Sequence, residues 1–411
     1  MASNDYITGL DIGTTKISVI TAEVTNDLEP KIVGVGSVPS EGLRKGVVVN
    51  VEKTVQSIEN AIEKAEQMSG VKVDQVYVGI AGDHIRSYNG RGVVAVAGDD
   101  NEITEDDIRR VIDAAKAVVM PIDREIIHII PQEFIVDEQR GIKDPLGMSG
   151  IRLETEVHIV TGAITSAQNI YRSVERAGVK VKDLVLEPLA SSYSVLSDDE
   201  KELGVVVVDM GGGTTDVAMF FEGCIRHTSI VALGGGNVTN DIALCLRTPI
   251  DQAESIKKMY GSTLANERDD LDDTIDIPGV GGRPSRKVSR SLLAEIIHPR
   301  MEEIFKLAVG EMRKSEYANL MTTGVVITGG GSLLKGAVEL AEEVFDMPVK
   351  LGIPKGFHGL TDMVKNPMHA TGIGLVQYAI RNRYELEGLL AGDNETPLFE
   401  RIWDRMKLWF R

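Results

Sequence analysis

Asp11-Ile-Gly-Thr-Thr-Lys16 and Asp209-Met-Gly-Gly-Gly-Thr-Thr-Asp216 are two versions of one motif, separated by about two hundred residues. Each follows a short apolar, β-prone run, so each predicts a strand that ends in Asp and continues into a tight glycine turn. Such a turn lets backbone N–H groups approach phosphate oxygens, while the carboxylate holds a hydrated Mg²⁺. Two such turns facing each other predict a site that holds a triphosphate from both sides.

Two further glycine turns, Leu233-Gly-Gly-Gly-Asn237 and Thr328-Gly-Gly-Gly-Ser332, also follow β-prone segments. One Asp-x-Gly turn is a weak signal because it occurs in many folds, whereas four such turns after predicted strands form a specific set. Asp11 and Asp209 are predicted to hold Mg²⁺ through water. The predicted phosphate contacts are Gly13, Thr14, Thr15, Lys16, Gly211, Gly212, Gly213, Thr214 and Thr215. The predicted neighbours of the nucleoside are Gly330, Gly331 and Ser332, together with Gly234, Gly235, Gly236 and Asn237.

Lys16 has a second interpretation, because a lysine at the start of a strand is often only a solvated charge. The phosphate contact is favoured by its place in the paired motif. The seven histidines of the chain are scattered and form no pattern typical of a metal site or a catalytic triad.

Composition indicates a large globular protein. The chain has 411 residues and 43% apolar content, which favours two or more domains with sizeable cores. Its formal charge is −18 at pH 7. Because a nucleic-acid surface requires clustered Lys and Arg, and the body of the chain has no basic stripe, we expect no nucleic-acid partner.

Cysteine usage and hydropathy indicate the cytoplasm. Cys224 and Cys245 are the two cysteines, and no CxxC motif is present, so neither a disulfide framework nor a structural zinc site is expected. The first residues lack the basic and apolar regions of a signal peptide, and no apolar run is long enough to predict a spanning helix.

The first half of the chain alternates between strand and helix patterns. The patterns predict a meander of strands at 6–24 and 31–38, then a helix at 51–68 and a strand at 75–80. From about residue 84 the pattern changes to strands at 92–97, 126–136 and 151–163, with a helix opened by a capping box at 104–107. This change indicates an inserted subdomain. The first domain then resumes with a helix at 166–177, a strand at 181–186 and a second helix at 188–196.

The second half repeats the alternation. A strand at 203–209 leads into the second phosphate turn, and one charged helical stretch is expected at 237–260. The acidic, Gly-rich segment 266–286 predicts exposed loops, and a long helix is expected at 289–314 before the Thr328 turn. Alternation in both halves predicts two related α/β domains around a cleft, with the nucleotide between them.

The order of these motifs resembles the actin-like ATPase superfamily, which includes actin, sugar kinases, DnaK-type chaperones, MreB, PilM and FtsA. Residues 11–16 resemble the first phosphate loop of that superfamily, and residues 187–192 resemble its first connecting helix. Residues 209–216 resemble the second phosphate loop, 328–336 the adenosine loop and 370–374 the second connecting segment. The resemblance covers about residues 6–385. It implies an α/β, actin-like (ribonuclease H-like) two-lobed ATPase fold.

Within this superfamily the chain resembles the FtsA family most. The predicted insert lies where that family carries its distinctive subdomain, and Ile327-Thr-Gly-Gly-Gly331 and Gly359-Leu-Thr-Asp362 are similar to its segments. The resemblance implies a first domain (1A) at 1–83 and 163–197, rejoined by about 365–385, and an inserted subdomain (1C) at 84–162. It implies a second core domain (2A) at 198–245 and 321–364, an outer subdomain (2B) at 246–320, a flexible linker at 386–397 and a membrane-targeting helix at 398–411.

The resemblance also implies roles for single residues. Glu187 is the candidate that orients water for hydrolysis, which is weak or absent in this family. Glu254, Lys257 and Lys258 resemble the helix that lines the adenosine pocket. FtsA proteins bind the C-terminal peptide of the tubulin-like protein FtsZ, and the matching residues here are Arg286, Arg300 and Glu303. An exposed arginine is otherwise often a solvated charge.

The C-terminal segment 398–411 holds both tryptophans of the chain. On a helical wheel its large apolar side chains, except Leu408, form one face, and Arg405 and Lys407 lie outside that face. The apolar face consists of Leu398, Phe399, Ile402, Trp403, Met406, Trp409 and Phe410. A helix of this length spans roughly 21 Å, too little for a hydrocarbon core of about 30 Å, so it is expected to lie in the membrane interface.

A helix docked on the protein's own surface is the alternative for this segment. The polar, Gly- and Pro-containing linker before it favours the membrane, as do its four basic against two acidic residues in an acidic chain. Anionic lipid would attract this end of the protein. Self-association would strengthen membrane binding through avidity.

Together these features predict an ATP- and Mg²⁺-binding, self-assembling cell division protein that tethers FtsZ filaments to the cytoplasmic face of the membrane at the septum. The predicted partners are the FtsZ C-terminal peptide, further copies of the chain, an anionic membrane surface and, through the insert, other division proteins. A PilM-like pilus scaffold and a soluble sugar kinase are the alternatives. The amphipathic segment argues against both.

Overall fold

The computed structural model describes residues 5–24, 29–98, 100–117, 120–264 and 274–389, with side chains to residue 382. The predicted amphipathic helix at 398–411 and the predicted linker from residue 390 lie outside the described residues. Residues 386–389, the start of the predicted linker, belong to the last helix.

The first half of the chain contains eleven strands within the described residues, together with four helices. The strands are β1 (Tyr6–Ile12), β2 (Lys16–Glu23), β3 (Lys31–Pro39), β4 (Leu43–Arg44), β5 (Val47–Val48), β6 (Gln75–Ile80), β7 (Arg86–Ala95), β8 (Arg124–Val136), β9 (Gln139–Ile142), β10 (Arg152–Ala163) and β11 (Lys180–Leu186). The helices are α1 (Val51–Ser69), α2 (Glu105–Ala115), α3 (Ile164–Arg176) and α4 (Glu187–Val195).

The second half contains the remaining described elements. The helices are α5 (Asp198–Leu203), α6 (Gly235–Leu246), α7 (Ile250–Tyr260), α8 (Arg290–Met312), α9 (Ala337–Phe345), α10 (Thr361–Val364) and α11 (Ala370–Leu389). The strands are β12 (Val205–Met210), β13 (Thr215–Phe221), β14 (Cys224–Val231), β15 (Thr274–Ile277), β16 (Arg286–Ser289), β17 (Val325–Thr328), β18 (Val349–Leu351) and β19 (His358–Gly359).

The first lobe is built on a sheet in the order β11-β6-β1-β2-β3-β19. β1 runs antiparallel to β2 and parallel to β6. Both faces of this sheet are buried: Val19 packs in the cluster that includes α1, whereas the adjacent Ile20 packs against α11. Burial on two faces explains why β1 and β2 are apolar almost throughout.

The second lobe repeats this plan with the order β14-β13-β12-β17-β18. β12 is antiparallel to β13 and parallel to β17, as β1 is to β2 and β6. α6, α8 and α9 cover one face, where Phe305 and Phe345 meet edge to face at 6.0 Å between ring centroids. The two lobes therefore present equivalent hairpins.

The segment after β6 forms a separate sheet, in the order β7-β10-β8-β9, with α2 packed on it and a core of its own. Thr104 caps α2 in the predicted capping box with Asp107. α2 lies so close to β7 that a methyl group on Gly92 would come within 2.0 Å of the Val111 carbonyl oxygen. The first strand, expected at 92–97, begins earlier, at Arg86.

Two local predictions in the outer part of the second lobe are wrong. The single helical stretch expected at 237–260 is two helices, because Arg247 adopts a left-handed conformation (φ 48°) and Pro249 precedes α7. The described part of the predicted loop segment contains β15, which pairs antiparallel with β16. Two short strands in a polar, Gly-rich context gave no clear alternation in the sequence.

Two helices link the lobes. The helix α4 carries the chain from the first lobe to the second, and α11, which packs on α4, reaches the second lobe through a hydrogen bond from Thr371 to Asp209. The two helices cross so closely that a methyl group on Gly374 would lie 1.9 Å from the Ala190 carbonyl oxygen. Before α11, β19 already pairs with β3, so the chain returns to the first sheet before the expected residue 365. Among the described helices, none is both long and apolar enough to cross a membrane.

Candidate functional site

The two sequence motifs form equivalent turns at the ends of β1 and β12. The Gly13 N–H donates to the Lys16 carbonyl oxygen (3.0 Å), and the Gly211 N–H donates to the Thr214 carbonyl oxygen (2.9 Å). Each turn joins two antiparallel strands and begins two residues after the motif aspartate. The duplication seen in the sequence is therefore a duplication of local structure.

These two turns face each other across the cleft. A methyl group on Gly212 would lie 2.3 Å from Thr15 Cγ2, and one on Gly213 would lie 2.5 Å from Thr14 Oγ1. Only glycine at these two positions lets the lobes approach this closely without moving the threonines. The structure thus brings together the predicted phosphate residues of both lobes.

The other two glycine turns pack on the second motif. The Gly235 and Gly236 N–H groups donate to the Gly211 and Gly212 carbonyl oxygens, at 2.9 and 2.8 Å. Gly329, with φ 80°, lies against the Asp209 side chain: a methyl group there would be 2.4 Å from Asp209 Oδ1. All four predicted turns therefore meet at one place.

The turn that follows Thr328 has both buried and open positions. Ser332 is buried, and its hydroxyl donates to the Gly329 carbonyl oxygen at 2.7 Å. A methyl group on Gly330 would meet no atom within 4 Å, whereas one on Gly331 would collide with Met210. Gly330 is thus the member of this turn with space beside it.

Four carboxyl groups surround the cleft. Burial raises the pKa of Asp11 to about 6, against the attraction of Lys16 and with some repulsion from Asp209. Burial also raises the pKa of Asp209, against hydrogen bonds from Ser191 and Thr371. The pKa values of Glu187 and Asp216 lie well above the ordinary range, chiefly because of burial and then because of the neighbouring carboxylates.

Lys16 lies between these acids and is partly buried. Its ammonium group donates to the Met368 carbonyl oxygen at 2.6 Å. Burial lowers the pKa of Lys16, whereas the charges of Asp11 and Asp209 raise it. Lys16 is therefore held at the cleft, and it is not a freely solvated lysine.

Asp216 is a site residue for which the sequence suggested no role. It is directly opposite Asp209 in the β12–β13 pair, where the first lobe has Ser18 opposite Asp11. Asp216 is 2% exposed, and its Oδ1 has no hydrogen-bond partner among the described residues. The signal was present in the printed motif, because Asp216 ends it, but its meaning depends on strand register.

The residues expected near the adenosine form one polar cluster. Lys257 Nζ donates to the Gly235 carbonyl oxygen (2.9 Å) and to Thr239 Oγ1 (2.8 Å). Glu254 pairs with Lys257 at 2.6 Å and with Lys258 at 3.2 Å. Asn237 caps α6 by accepting a hydrogen bond from the Gly234 N–H at 3.0 Å. This cluster adjoins the second phosphate turn.

Glu187 begins α4 and is partly buried next to Gly79 of β6. A methyl group on Gly79 would lie 3.0 Å from Glu187 Cγ. Asp11, Asp216 and Asp209 all act on its carboxyl group electrostatically. Within the described part of the chain, no three His, Cys, Asp or Glu side chains converge closely enough to ligate one ion directly.

The residues expected to bind a peptide lie elsewhere, on the outer part of the second lobe. Arg300 of α8 binds Asp241 through both Nε (2.6 Å) and Nη2 (3.3 Å), and it also pairs with Glu303. Arg286 donates to the Leu246 carbonyl oxygen at 2.8 Å. Asp241 and Leu246, the partners of these arginines, lie on α6, which begins at the Gly235 turn. Among the described residues, Arg286, Arg300 and Glu303 form no hydrogen bond with a cleft turn itself.

Comparison with known proteins gives a consistent answer. A family model described as cell division protein FtsA matches residues 206–374, and one described as the SHS2 domain inserted in FtsA matches residues 82–161. The chain is 52% identical to cell division protein FtsA of Pseudomonas aeruginosa, over 99% of this chain and 98% of that protein. It is 45% identical to FtsA of Neisseria meningitidis, over 98% and 97% of the two chains.

Two solved structures show a similar fold at low identity. The PilM-PilN type IV pilus biogenesis complex matches with a TM-score of 0.67 and 16% identity, over 92% of this chain and 99% of that chain. MreB 5 of Spiroplasma citri bound to AMPPNP matches with a TM-score of 0.58 and 14% identity, over 94% and 99%. These likenesses confirm the predicted actin-like architecture.

Proposed function

Because this chain belongs to the FtsA family of cell division proteins, we propose that it binds Mg-ATP between its lobes and links FtsZ filaments to the cytoplasmic membrane. The observation that carries the nucleotide part is the contact of the two glycine turns across the cleft, Thr15 against Gly212 and Thr14 against Gly213. Backbone N–H groups of both turns would bind the phosphates, as in other glycine turns.

The charges at the cleft fit a metal-bound triphosphate. Asp11 and Asp209 would hold Mg²⁺ through its water shell, and Asp216 Oδ1 is a third acceptor without a partner among the described residues. A bound cation would favour the ionised form of these raised-pKa carboxyl groups. Lys16 would then move from the Met368 carbonyl oxygen to the phosphates. Gly330 and Gly331 would flank the nucleoside next to the Glu254, Lys257 and Lys258 cluster.

Glu187 would orient an attacking water, but as a general base it is poorly suited while its carboxyl group is protonated. Its pKa is raised well above the usual range by burial and by three neighbouring carboxylates. Only when cations offset that repulsion would Glu187 ionise. Hydrolysis would therefore depend on the cations bound at the site, and nucleotide would act mainly as a ligand that favours the closed, self-assembling state.

The membrane part of the proposal depends on residues 398–411, outside the described residues. Their apolar face and flanking basic residues are typical of a helix lying in an anionic interface. The FtsZ part depends on Arg300, Glu303 and Arg286 at the outer part of the second lobe. The insert at 84–162 would offer a surface for other division proteins. The division into 1A, 1C, 2A and 2B follows the boundaries given above, except that the first domain already resumes at β19 and α11 extends to Leu389.

The test is sedimentation with anionic vesicles. The full chain is compared with one ending at Pro397, each with Mg-ATP and without nucleotide. We expect pelleting that requires residues 398–411 and increases with Mg-ATP, because assembled copies bind by avidity. A full chain that stays in solution with every vesicle preparation would contradict the membrane role. Equilibrium dialysis with Mg-ATP tests the cleft separately.

A further inference from the structure

We propose that the inserted subdomain is a clasp that joins the two lobes and engages together with closure of the nucleotide cleft. The clasp consists of Ser87, Asn89, Gln132 and His158, which contact β14 of the second lobe. The subdomain lies between β6 and α3, which are both part of the first lobe. Its contacts with β14 therefore connect the lobes at a place away from α4 and α11.

The clasp covers an edge of the second sheet. β14 is the last strand of that sheet, so the carbonyl groups along one side of it lack a neighbouring strand. Ser87 Oγ donates to the Thr228 carbonyl oxygen at 2.8 Å, and Gln132 Nε2 donates to that of Ile225 at 2.9 Å. Asn89 Nδ2 donates to the Arg226 carbonyl oxygen at 3.4 Å. Side chains of the insert thus satisfy an exposed strand edge.

His158 completes the clasp through a directional chain of hydrogen bonds. Because the Asn89 amide nitrogen donates to Arg226, its Oδ1 is the acceptor for His158 Nδ1 at 2.8 Å. His158 Nε2 then accepts from the Thr228 hydroxyl at 2.9 Å. Burial lowers the pKa of His158 to about 3, so the ring is neutral, as these two hydrogen bonds require. His158 and Gln132 are 1% and 2% exposed.

In this proposal, α4 and α11 form the hinge on which both the clasp and the cleft close. Rotation of one lobe about these helices would change the contact of Thr15 with Gly212 and, at the same time, the position of β14 relative to the insert. In this structure both contacts are formed together. A ligand that draws the phosphate turns together therefore favours the clasp, and by linkage the clasp favours the ligand.

The inference rests on the proposed nucleotide binding, and its test uses the full chain. In the clasp variant, Ser87→Ala with Asn89→Ala removes two donors to β14 and the acceptor of His158 Nδ1, while the buried side chains of Gln132 and His158 are unchanged. Gln139→Ala with Ser149→Ala makes a similar deletion on exposed residues of the same subdomain and is the matched control. Mg-ATP affinity is measured by equilibrium dialysis, and amide hydrogen exchange is followed in residues 224–231 with and without Mg-ATP.

We expect Mg-ATP to slow exchange in residues 224–231 of the full chain and of the control. The clasp variant should bind Mg-ATP about fivefold more weakly, which is at the lower end of usual coupling between sites. Amide exchange in residues 224–231 of that variant should no longer become slower when Mg-ATP is added. A clasp variant that matches the full chain in both measurements would overturn the clasp. Failure of the full chain itself to bind Mg-ATP would instead overturn the proposed function, and the clasp with it.

Discussion

Ser191 and Thr371 donate to the same oxygen of Asp209, although they lie on the two different helices that connect the lobes. Ser191 Oγ is 2.5 Å from Asp209 Oδ2, Thr371 Oγ1 is 3.3 Å from it, and the two hydroxyl oxygens are 3.1 Å apart. The carboxylate that we assign to Mg²⁺ is thus held by both α4 and α11. Any change in the angle between these helices alters its position.

Thr371→Val should weaken Mg-ATP binding about tenfold. The variant keeps the shape of the side chain but removes a hydrogen bond to a buried carboxylate, and such bonds to charged groups contribute about 1.5–3 kcal/mol. Without that bond the pKa of Asp209 rises further, so the fall in affinity on acidification should begin at higher pH than in the unmodified chain. Binding is measured by equilibrium dialysis between pH 5 and pH 8.

Thr371→Ser and Thr323→Val are the controls for this prediction. The serine keeps a hydroxyl and should restore most of the affinity. Thr323 donates to the Gly204 carbonyl oxygen at 2.6 Å, away from the cleft, so its valine variant should bind normally. Equal affinity and an equal pH profile for Thr371→Val and Thr323→Val would show that Thr371 does not position Asp209.

Gly374→Ala should destabilise the protein by about 1–3 kcal/mol, the usual cost of an extra methyl group in a filled core. The added carbon would lie 1.9 Å from the Ala190 carbonyl oxygen, and a backbone atom can yield only if α11 moves away from α4. Because Thr371 lies on α11, Mg-ATP affinity should fall as well. Urea unfolding gives the free energy of unfolding.

Gly310→Ala is the matched control, because Gly310 lies in the last turn of α8 and a methyl group there meets no atom within 4 Å. Alanine is preferred to glycine within a helix by up to about 1 kcal/mol, so this variant should be more stable than the original chain. If Gly374→Ala proved as stable as Gly310→Ala, the close crossing of the connecting helices would be wrong.

The paired motifs predicted the two facing glycine turns because each is a continuous stretch with a local conformational requirement. Asp216 was assigned no role because it depends on which residue of β13 faces Asp209. The clasp was missed for a related reason: Ser87, Gln132 and Thr228 are ordinary residues until folding places them together. The break at Pro249 was readable, since proline disfavours a helical residue before it, but the charged pattern on both sides concealed it.

Asp11→Asn should stabilise the nucleotide-free protein at pH 8 while it weakens Mg-ATP binding. Burial raises the pKa of Asp11 from 3.8 to about 6. A raised pKa means that the folded state holds the proton more tightly, so this stabilisation is complete below pH 3.8 and is lost as the pH rises through about 6. This rise in the pKa corresponds to about 3 kcal/mol, which is the upper limit of the gain in the free energy of unfolding.

Urea unfolding without nucleotide, repeated from pH 4 to pH 8, checks the sign. The difference between Asp11→Asn and the original chain should be near zero at pH 4 and should grow up to pH 8. The exposed Asp199→Asn changes the same charge outside the cleft and should show no such growth. A pH-independent difference for Asp11→Asn would mean that the carboxylate is not destabilised by burial.

Arg300→Met should weaken binding of the FtsZ C-terminal peptide at least tenfold without affecting Mg-ATP. Asp241 and Glu303 hold the guanidinium group in one position, and a peptide carboxylate would bind its remaining N–H groups or displace Glu303. Methionine is preferred to glutamate for this test because it places no acid beside Asp241. Lys306→Met is the control, because Lys306 is on the same helix and pairs with Glu302 at 2.7 Å. Fluorescence anisotropy of a labelled peptide gives both affinities, and equal binding by two folded variants would place the peptide site away from Arg300.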